Sequence, residues 1–187
     1  MHVFLETPRL LLRRFTEDDV DKLVELDADP NVMRFVTGGL ATSRERIEKE
    51  ILPAYLWFYE RFEGFGCWAA VEKSTSEFIG WFHFWPPAEE LDEFDEVELG
   101  YRLRASAWGK GYGTEGSRAL IEKGFEELGV QRVVAFTVAV NHASRRVMEK
   151  SGLRYVRTFH ADWPYKIEGD EEGDVEYALL RSEWAEG

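Results

Sequence analysis

The stretch Trp108-Gly109-Lys110-Gly111-Tyr112-Gly113-Thr114 follows a strand-like run, Val97 to Leu103, and opens a helical pattern that lasts to Leu128. Glycines let the backbone turn tightly and approach a ligand, while the unpaired amides and positive dipole end of a helix attract phosphate oxygens. The stretch reads as an anion cradle. Its spacing excludes two familiar phosphate loops. The P-loop needs two glycines separated by four residues and followed by Lys and Ser or Thr, which is absent. The dinucleotide fingerprint needs Gly or Ala three positions after Gly111, where Thr114 stands, and no acidic residue closes a strand about 20 residues on.

Upstream of the loop, Pro8 to Phe15 reads as a strand. Thr16 and Asp19 form a capping-box pattern that opens a helix from Glu17 to about Ala28, ended by Asp29-Pro30. A second helix, Ser43 to about Phe62, contains Pro53, where a kink or break is expected. Tyr55, Trp57, Phe58, Tyr59 and Phe62 crowd its second half, as core residues or, for one or two of them, as lining of an acceptor pocket. Cys67 to Lys73 and Phe78 to Trp85 form a hairpin around Ser74-Thr75-Ser76-Glu77. A long loop, Pro86 to Asp95, leads into the strand Glu96 to Leu103. Beyond the glycine loop, Gly129 caps the helix, Gln131 to Val140 is a β-branched strand, and Asn141 starts a short helix through Lys150. Two further strands follow, Leu153 to about Asp162 and Asp174 to about Arg181. This order predicts a single α/β domain over residues 1–187, with a mixed, mostly antiparallel central sheet of about seven strands and helices on both faces.

The 187 residues carry a net charge of −13, with 44% hydrophobic and 14% aromatic side chains. That charge argues against nucleic acid, which needs clustered Lys and Arg, and favours cationic partners. No apolar run approaches the roughly 18 residues of a membrane span, so no membrane partner is expected. The first residues lack a signal peptide's charged start and apolar core, and a cytoplasmic location is the default expectation. Cys67, the single cysteine, reads as a buried strand residue rather than a nucleophile. His83, His142 and His160 have neither metal nor triad spacing and read as structural, so no metal is expected. Two acidic clusters, Glu89 to Glu98 (with Asp92, Glu93, Asp95 and Glu96) and Glu168 to Asp174 (with Asp170, Glu171 and Glu172), are either solvated loops or a negative funnel for an amine.

Taken together, the loop Trp108 to Gly113, the upstream Glu98-Leu99-Gly100-Tyr101, the downstream Asn141-His142-Ala143-Ser144 and the run Glu149-Lys150-Ser151-Gly152-Leu153 resemble the GNAT superfamily of N-acetyltransferases. In particular they look like its RimJ/RimL-like branch, which includes ribosomal-protein N-terminal acetyltransferases. The opening Thr7-Pro8-Arg9-Leu10-Leu11-Leu12-Arg13 and the later Asp29-Pro30-Asn31-Val32 extend the resemblance over nearly the whole chain. Trp108 stands where the family usually has Gln or Arg.

The resemblance implies an acetyl-CoA-dependent N-acetyltransferase, with acetyl-CoA as co-substrate and a protein N-terminus or small-molecule amine as acceptor. Amides of Gly109, Lys110, Gly111, Tyr112, Gly113 and Thr114 would bind the coenzyme's pyrophosphate. Leu103 and Arg104 would hydrogen-bond its pantetheine arm, with Asn141 beside them and Ser144 near the thiol. Because backbone donors bind without side-chain specificity, Lys110 and Tyr112 are expected to be free in type. An alkylamine with a pKa of about 10.4 needs a base before it can attack. Glu98 sits where the family often keeps a carboxylate, although it is also placed to be solvated or to pair with Arg102. Many members carry a Tyr seven residues after this Asn to protonate the thiolate. Met148 occupies that position here, leaving the proton to Ser144, to water or to no acid at all. The rival reading is a regulatory acyl-CoA-binding module that has lost turnover. A homodimer stays open.

Overall fold

The computed structural model describes residues 2–86 and 95–185. Eight strands form one sheet: β1 (Val3–Glu6), β2 (Leu10–Arg14), β3 (Gly66–Glu72), β4 (Phe78–Trp85), β5 (Glu96–Leu103), β6 (Arg132–Val138), β7 (Arg154–Phe159) and β8 (Asp174–Leu180). Their order is β1-β2-β3-β4-β5-β6-β8-β7. Every neighbouring pair is antiparallel except β5 and β6. The eighth strand, β1, was not anticipated. The expected strand from Pro8 begins instead at Leu10, because Thr7 turns the chain there: its amide donates to the Leu10 carbonyl at 2.9 Å, and Leu10 N donates back to Thr7 Oγ1 at 2.8 Å.

Helices cover both faces. One face carries α1 (Val20–Asp27), α2 (Pro30–Met33) and the run α3 (Arg44–Arg46), a π turn over Ile47–Ile51, and α4 (Leu52–Arg61). The π turn is how the helix accommodates Pro53, which cannot donate a backbone hydrogen bond; Leu52 N bonds Ile47 O, five residues back. The other face carries α5 (Tyr112–Glu126), α6 (His142–Lys150) and α7 (Arg181–Ala185). Two apolar cores result. Leu23, Leu26, Cys67, Ala69, Phe78 and Trp81 lie under α1 to α4, whereas Trp68, Phe82, Phe84, Leu99, Leu120 and Phe125 lie under α5 and α6.

A β-bulge at Gly80 decides which β4 side chain faces which core. Ile79 and Trp81 would share a face in a regular strand, yet they sit in different cores. Gly80 has φ 138°, and a Cβ there would stand 2.1 Å from the Arg102 carbonyl oxygen, so only glycine fits. Beyond the bulge, Phe82 and Phe84 turn toward α5, while Trp81, His83 and Trp85 turn toward α1 and α4.

Candidate active site

The glycine stretch is an N-terminal helix cradle. Gly111 caps α5 in the left-handed conformation, φ 85°, and the first helical bond runs from Glu115 N to Gly111 O at 3.0 Å. The amides of Tyr112, Gly113 and Thr114 therefore have no intrahelical acceptor and carry the positive end of a 15-residue helix. A Cβ on Gly109 would meet nothing within 4 Å, which leaves that backbone open to a ligand.

The loop is braced from the sheet. Arg9 Nη1 donates to Lys110 O at 2.9 Å, and its guanidinium lies 4.5 Å from the centre of the Tyr112 ring. Glu115 accepts from Thr7 Oγ1 (2.6 Å), Arg9 N (2.9 Å) and Arg9 Nε (2.6 Å). Burial would raise the Glu115 pKa, but these hydrogen bonds outweigh it and hold the group below its ordinary value. Tyr112 is not free in type. It is 5% exposed, and its hydroxyl donates to Glu72 Oε1 at 2.5 Å, so the side chain anchors the helix start to β3.

Next to the loop the sheet splits. β5 stays paired with β4 up to Leu103, yet it pairs with β6 only at Glu96, Val97 and Glu98, against Arg132, Val133 and Val134. Arg104 N donates to Ile79 O at 2.8 Å. By the alternation of an antiparallel pair, the backbone groups of Leu99, Tyr101 and Leu103 then point the other way, into the gap. Arg104 itself is committed elsewhere, with its side chain on Glu25 of α1 at 2.7 Å. The Leu103 carbonyl receives Trp108 Nε1 at 2.9 Å, which gives that tryptophan a role in holding the strand end.

Across the gap, Asn141 caps α6. Its Oδ1 accepts from Ser144 N at 3.2 Å, and its Nδ2 donates to Thr137 Oγ1 at 3.0 Å. Tyr101, on the same face of β5, reaches Ser144: its hydroxyl lies 3.0 Å from the Ser144 carbonyl and 2.9 Å from Oγ. Burial pushes the Tyr101 phenol up despite the Ser144 hydrogen bond, so it stays protonated at neutral pH. Met148 is buried in the core beneath. Helix α6 also carries His142, Arg145, Arg146 and Glu149 around a cavity of about 410 Å³.

Glu98 lies on the opposite face of β5 from Tyr101, at the residue where pairing with β6 stops. Its expected alternative partner, Arg102, is bound instead to Asp27 of α1 at 2.6 Å, a pair only 18% and 4% exposed. Glu98 Oε1 stands 3.3 Å from His83 Nε2. The structure thus gathers the glycine loop, the β5 edge, Asn141 and Ser144 on one side of the split and Glu98 on the other. Sequence reasoning missed Tyr101, the Arg9–Glu115 brace and the neighbourhood of His83. A glycine inside a central strand, Gly100, was the available signal for close approach.

The acidic clusters divide. Glu89 to Glu93, with the loop around them, lie outside the described residues. Within Glu168 to Asp174, Glu168 is paired with Arg34, and buried Asp174 accepts from Trp163 Nε1 and Ala161 N. Asp170, Glu171 and Glu172 form a single 3₁₀ turn. Among the described residues no helix is long and apolar enough to cross a membrane.

A model of the acetyltransferase (GNAT) domain matches residues 9–154, and the chain belongs to that family: it is an acetyl-CoA-dependent N-acetyltransferase. The FsC-acetyl coenzyme A-N(2)-transacetylase of Aspergillus fumigatus is 36% identical over 187 residues, covering 96% of this chain and 77% of the relative. Among solved structures, RimL, a ribosomal L7/L12 alpha-N-protein acetyltransferase in complex with coenzyme A, superposes with a TM-score of 0.77 at 20% identity, over 96% of this chain and 98% of that one. The aminoglycoside acetyltransferase AAC(6')-Ib in complex with coenzyme A gives 0.72 at 22%, over 95% and 98%.

Proposed function

We propose that this enzyme acetylates the primary amine of a small molecule by direct attack of the neutral amine on the acetyl thioester, with no covalent enzyme intermediate. The observation that carries the reading is the split between β5 and β6, which opens at Glu98 and is flanked by the amides of the α5 N-terminus. In this reading the coenzyme's pyrophosphate lies on the amides of Gly109 to Thr114. Its pantetheine arm pairs with the backbone groups of Leu99 and Tyr101 and the Leu103 amide, and with Asn141. The bound thioester supplies an activated acetyl carbon. In a protein of net charge −13, an anionic co-substrate needs a local cationic wall, and Lys110 in the loop and Arg9, bonded to the Lys110 carbonyl, are the cations there.

Glu98, on the other side of the split, takes the proton that keeps the amine from attacking; such assistance contributes about 10² to 10⁴ in rate. Ser144, held by Tyr101, faces the departing sulfur. A small-molecule acceptor is favoured over a protein N-terminus by the Aspergillus fumigatus relative, which covers 96% of this chain and whose name places transfer on an N(2) position. We read the chain as one domain that works in the cytoplasm, with every described strand in a single sheet.

The test is thiol release from acetyl-CoA with benzylamine, spermidine, kanamycin, FsC and short peptides with free N-termini, read also by mass spectrometry of the products. Turnover on one of the small molecules supports the proposal, and turnover on peptides alone overturns the choice of acceptor. Protection against heat by acetyl-CoA without thiol release above background would instead mark a binding module. Glu98→Gln keeps shape but cannot accept a proton, so turnover is expected to fall about 10²-fold at neutral pH and to recover partly at high pH. A loss under about threefold would move the base elsewhere.

A further inference from the structure

We propose that His83 is the proton partner of Glu98, a positioning residue that aims the carboxylate at the split and takes over the proton it collects. This rests on the reading of Glu98 as the base, and the experiments below separate the two.

The slot that holds His83 is built for an imidazole. Its ring lies between Trp85, with centroids 4.1 Å apart at 19°, and Trp81, at 5.7 Å and 21°. Its cross-strand partner on β5 is Gly100, where a Cβ would stand 2.3 Å from His83 Cε1 and 2.4 Å from Nε2. Glycine in a strand interior weakens the strand and leaves no side chain to pack. Gly100 has no positive φ to account for it, and admitting the ring does account for it.

At Nε2 the described residues leave one place for a proton to come from. Nε2 is buried and makes no formed hydrogen bond among the described residues, a state that calls for an explanation in any folded protein. The atom 3.3 Å away is Glu98 Oε1. The other titratable groups packed here are already settled. From β3, Cys67 is the register partner of His83, and burial keeps its thiol neutral. From α4, burial likewise keeps the Tyr55 phenol neutral. From α1, Asp27 is bound to Arg102 of β5, whose guanidinium lies 5.0 Å from the centre of the Trp81 ring. Among the described residues His83 is the only basic side chain that meets Glu98 as an ion pair, and Glu98 is its only carboxylate neighbour of that kind.

In the reaction, an ammonium proton of the acceptor passes to Glu98 and from Glu98 to His83 Nε2, converting a neutral imidazole to imidazolium. The freed nitrogen lone pair forms the N–C bond to the acetyl carbon as the C–S bond breaks. The second nitrogen proton, released as the amide forms, leaves with the sulfur. The imidazolium returns its proton through Glu98 to solvent.

Two measurements test this. In histidine-labelled protein, an NMR titration follows His2, His83, His142 and His160. Replacing the carboxylate in Glu98→Gln is expected to move the His83 ring signals and their titration and leave the other three in place. Unmoved His83 signals and titration overturn the partnership. In kinetics with acetyl-CoA and the fastest acceptor of the panel above, His83→Gln is expected to lower kcat about tenfold at pH 7 and flatten the acid limb of the kcat/KM profile. KM for acetyl-CoA should be unchanged. The double variant His83→Gln/Glu98→Gln should be no slower than Glu98→Gln alone, because the two act as one unit. Additive losses overturn the proposal. If His83→Gln does not fold, His83→Phe fills the same slot between the tryptophans without a ring nitrogen and gives the same reading. A large loss in Glu98→Gln with none in either His83 variant removes the partnership and keeps the base, whereas no loss in any of them removes both.

Discussion

At the scale of single residues, the proposed proton donor Ser144 rests on its hydroxyl pair with Tyr101. Met148 cannot protonate a thiolate, and it is buried in the core under α5 and α6. Ser144 can donate a proton toward the sulfur only if its hydroxyl is oriented. Tyr101, fixed on β5 and packed 6.0 Å from the Phe82 ring, provides that orientation. Tyr101→Phe keeps the ring and removes the hydroxyl's contacts with Ser144 O and Oγ, a hydrogen bond being worth about 1 kcal/mol net. A fivefold to tenfold fall in kcat is expected, on the order of that energy, with KM for acetyl-CoA little changed. Steady-state kinetics of the single variant and of Tyr101→Phe/Ser144→Ala check it, since the double variant should match Ser144→Ala. Asn141 as the cap of α6, with Ser144 in its first turn, was legible in the sequence because a motif with fixed spacing carried them. Tyr101 was quoted within a motif, but no spacing rule joins residue 101 to residue 144, and the contact exists only because the sheet opens between them. Asp27 and Arg102 illustrate the same limit, since buried ion pairs between α1 and β5 leave no local trace.

At the scale of elements, the start of α5 depends on a segment a hundred residues upstream. The Thr7-Pro8-Arg9 turn sits between β1 and β2, and Glu115 binds it in three places, so the cradle is tied to the sheet edge rather than left as a mobile turn. Arg9→Ala would release the Lys110 carbonyl and uncover the Tyr112 ring while leaving the amides in place. Acetyl-CoA affinity should weaken about threefold to tenfold, measured by calorimetry, with kcat nearly unchanged, because ordering the loop then falls to the ligand. The boundaries of β4 and β5 and of α6 could be read from apolar runs and caps, and they agree closely with the structure. β1 was missed because a short edge strand with half-buried residues has little periodicity to read. The faces of β4 were also hidden, since a bulge reverses alternation without changing composition.

At the scale of the whole molecule, charge and pairing oppose each other as pH falls. A net charge of −13 means that protonating exposed carboxylates relieves repulsion. Several carboxylates, however, are held in ion pairs. Glu176, on β8, is bound by Arg157 of β7 at 2.7 Å and Arg132 of β6 at 2.7 Å, and Arg132 also meets Glu96 of β5, so four strands are laced by one ladder. Burial would raise the Glu176 pKa, but the two arginines outweigh it and the net shift is downward. Asp19, 1% exposed, is likewise held low against its burial by Arg13 and Lys22. A lowered folded pKa contributes stability that is complete above the unfolded carboxylate value near 4 and is lost as pH falls through the folded value. Because exposed repulsion is screened over about 8 Å at physiological salt while buried pairs are not, the pairs should dominate. The melting temperature is expected to be flat from pH 6 to 8 and to fall by about 10 °C or more between pH 5 and pH 3. A rise on acidification would show that repulsion governs instead.

The split between β5 and β6 gives the enzyme an isotopic signature. Amides of Leu99, Tyr101 and Leu103 belong to a central strand, where slow exchange with deuterated water is the rule, yet they face a gap rather than a neighbour. In the free protein they should exchange far faster than those of Arg102 and Gly100, one residue away and bonded to β4. Acetyl-CoA should slow them selectively, so that alternate amides along one strand would record whether the coenzyme is in place.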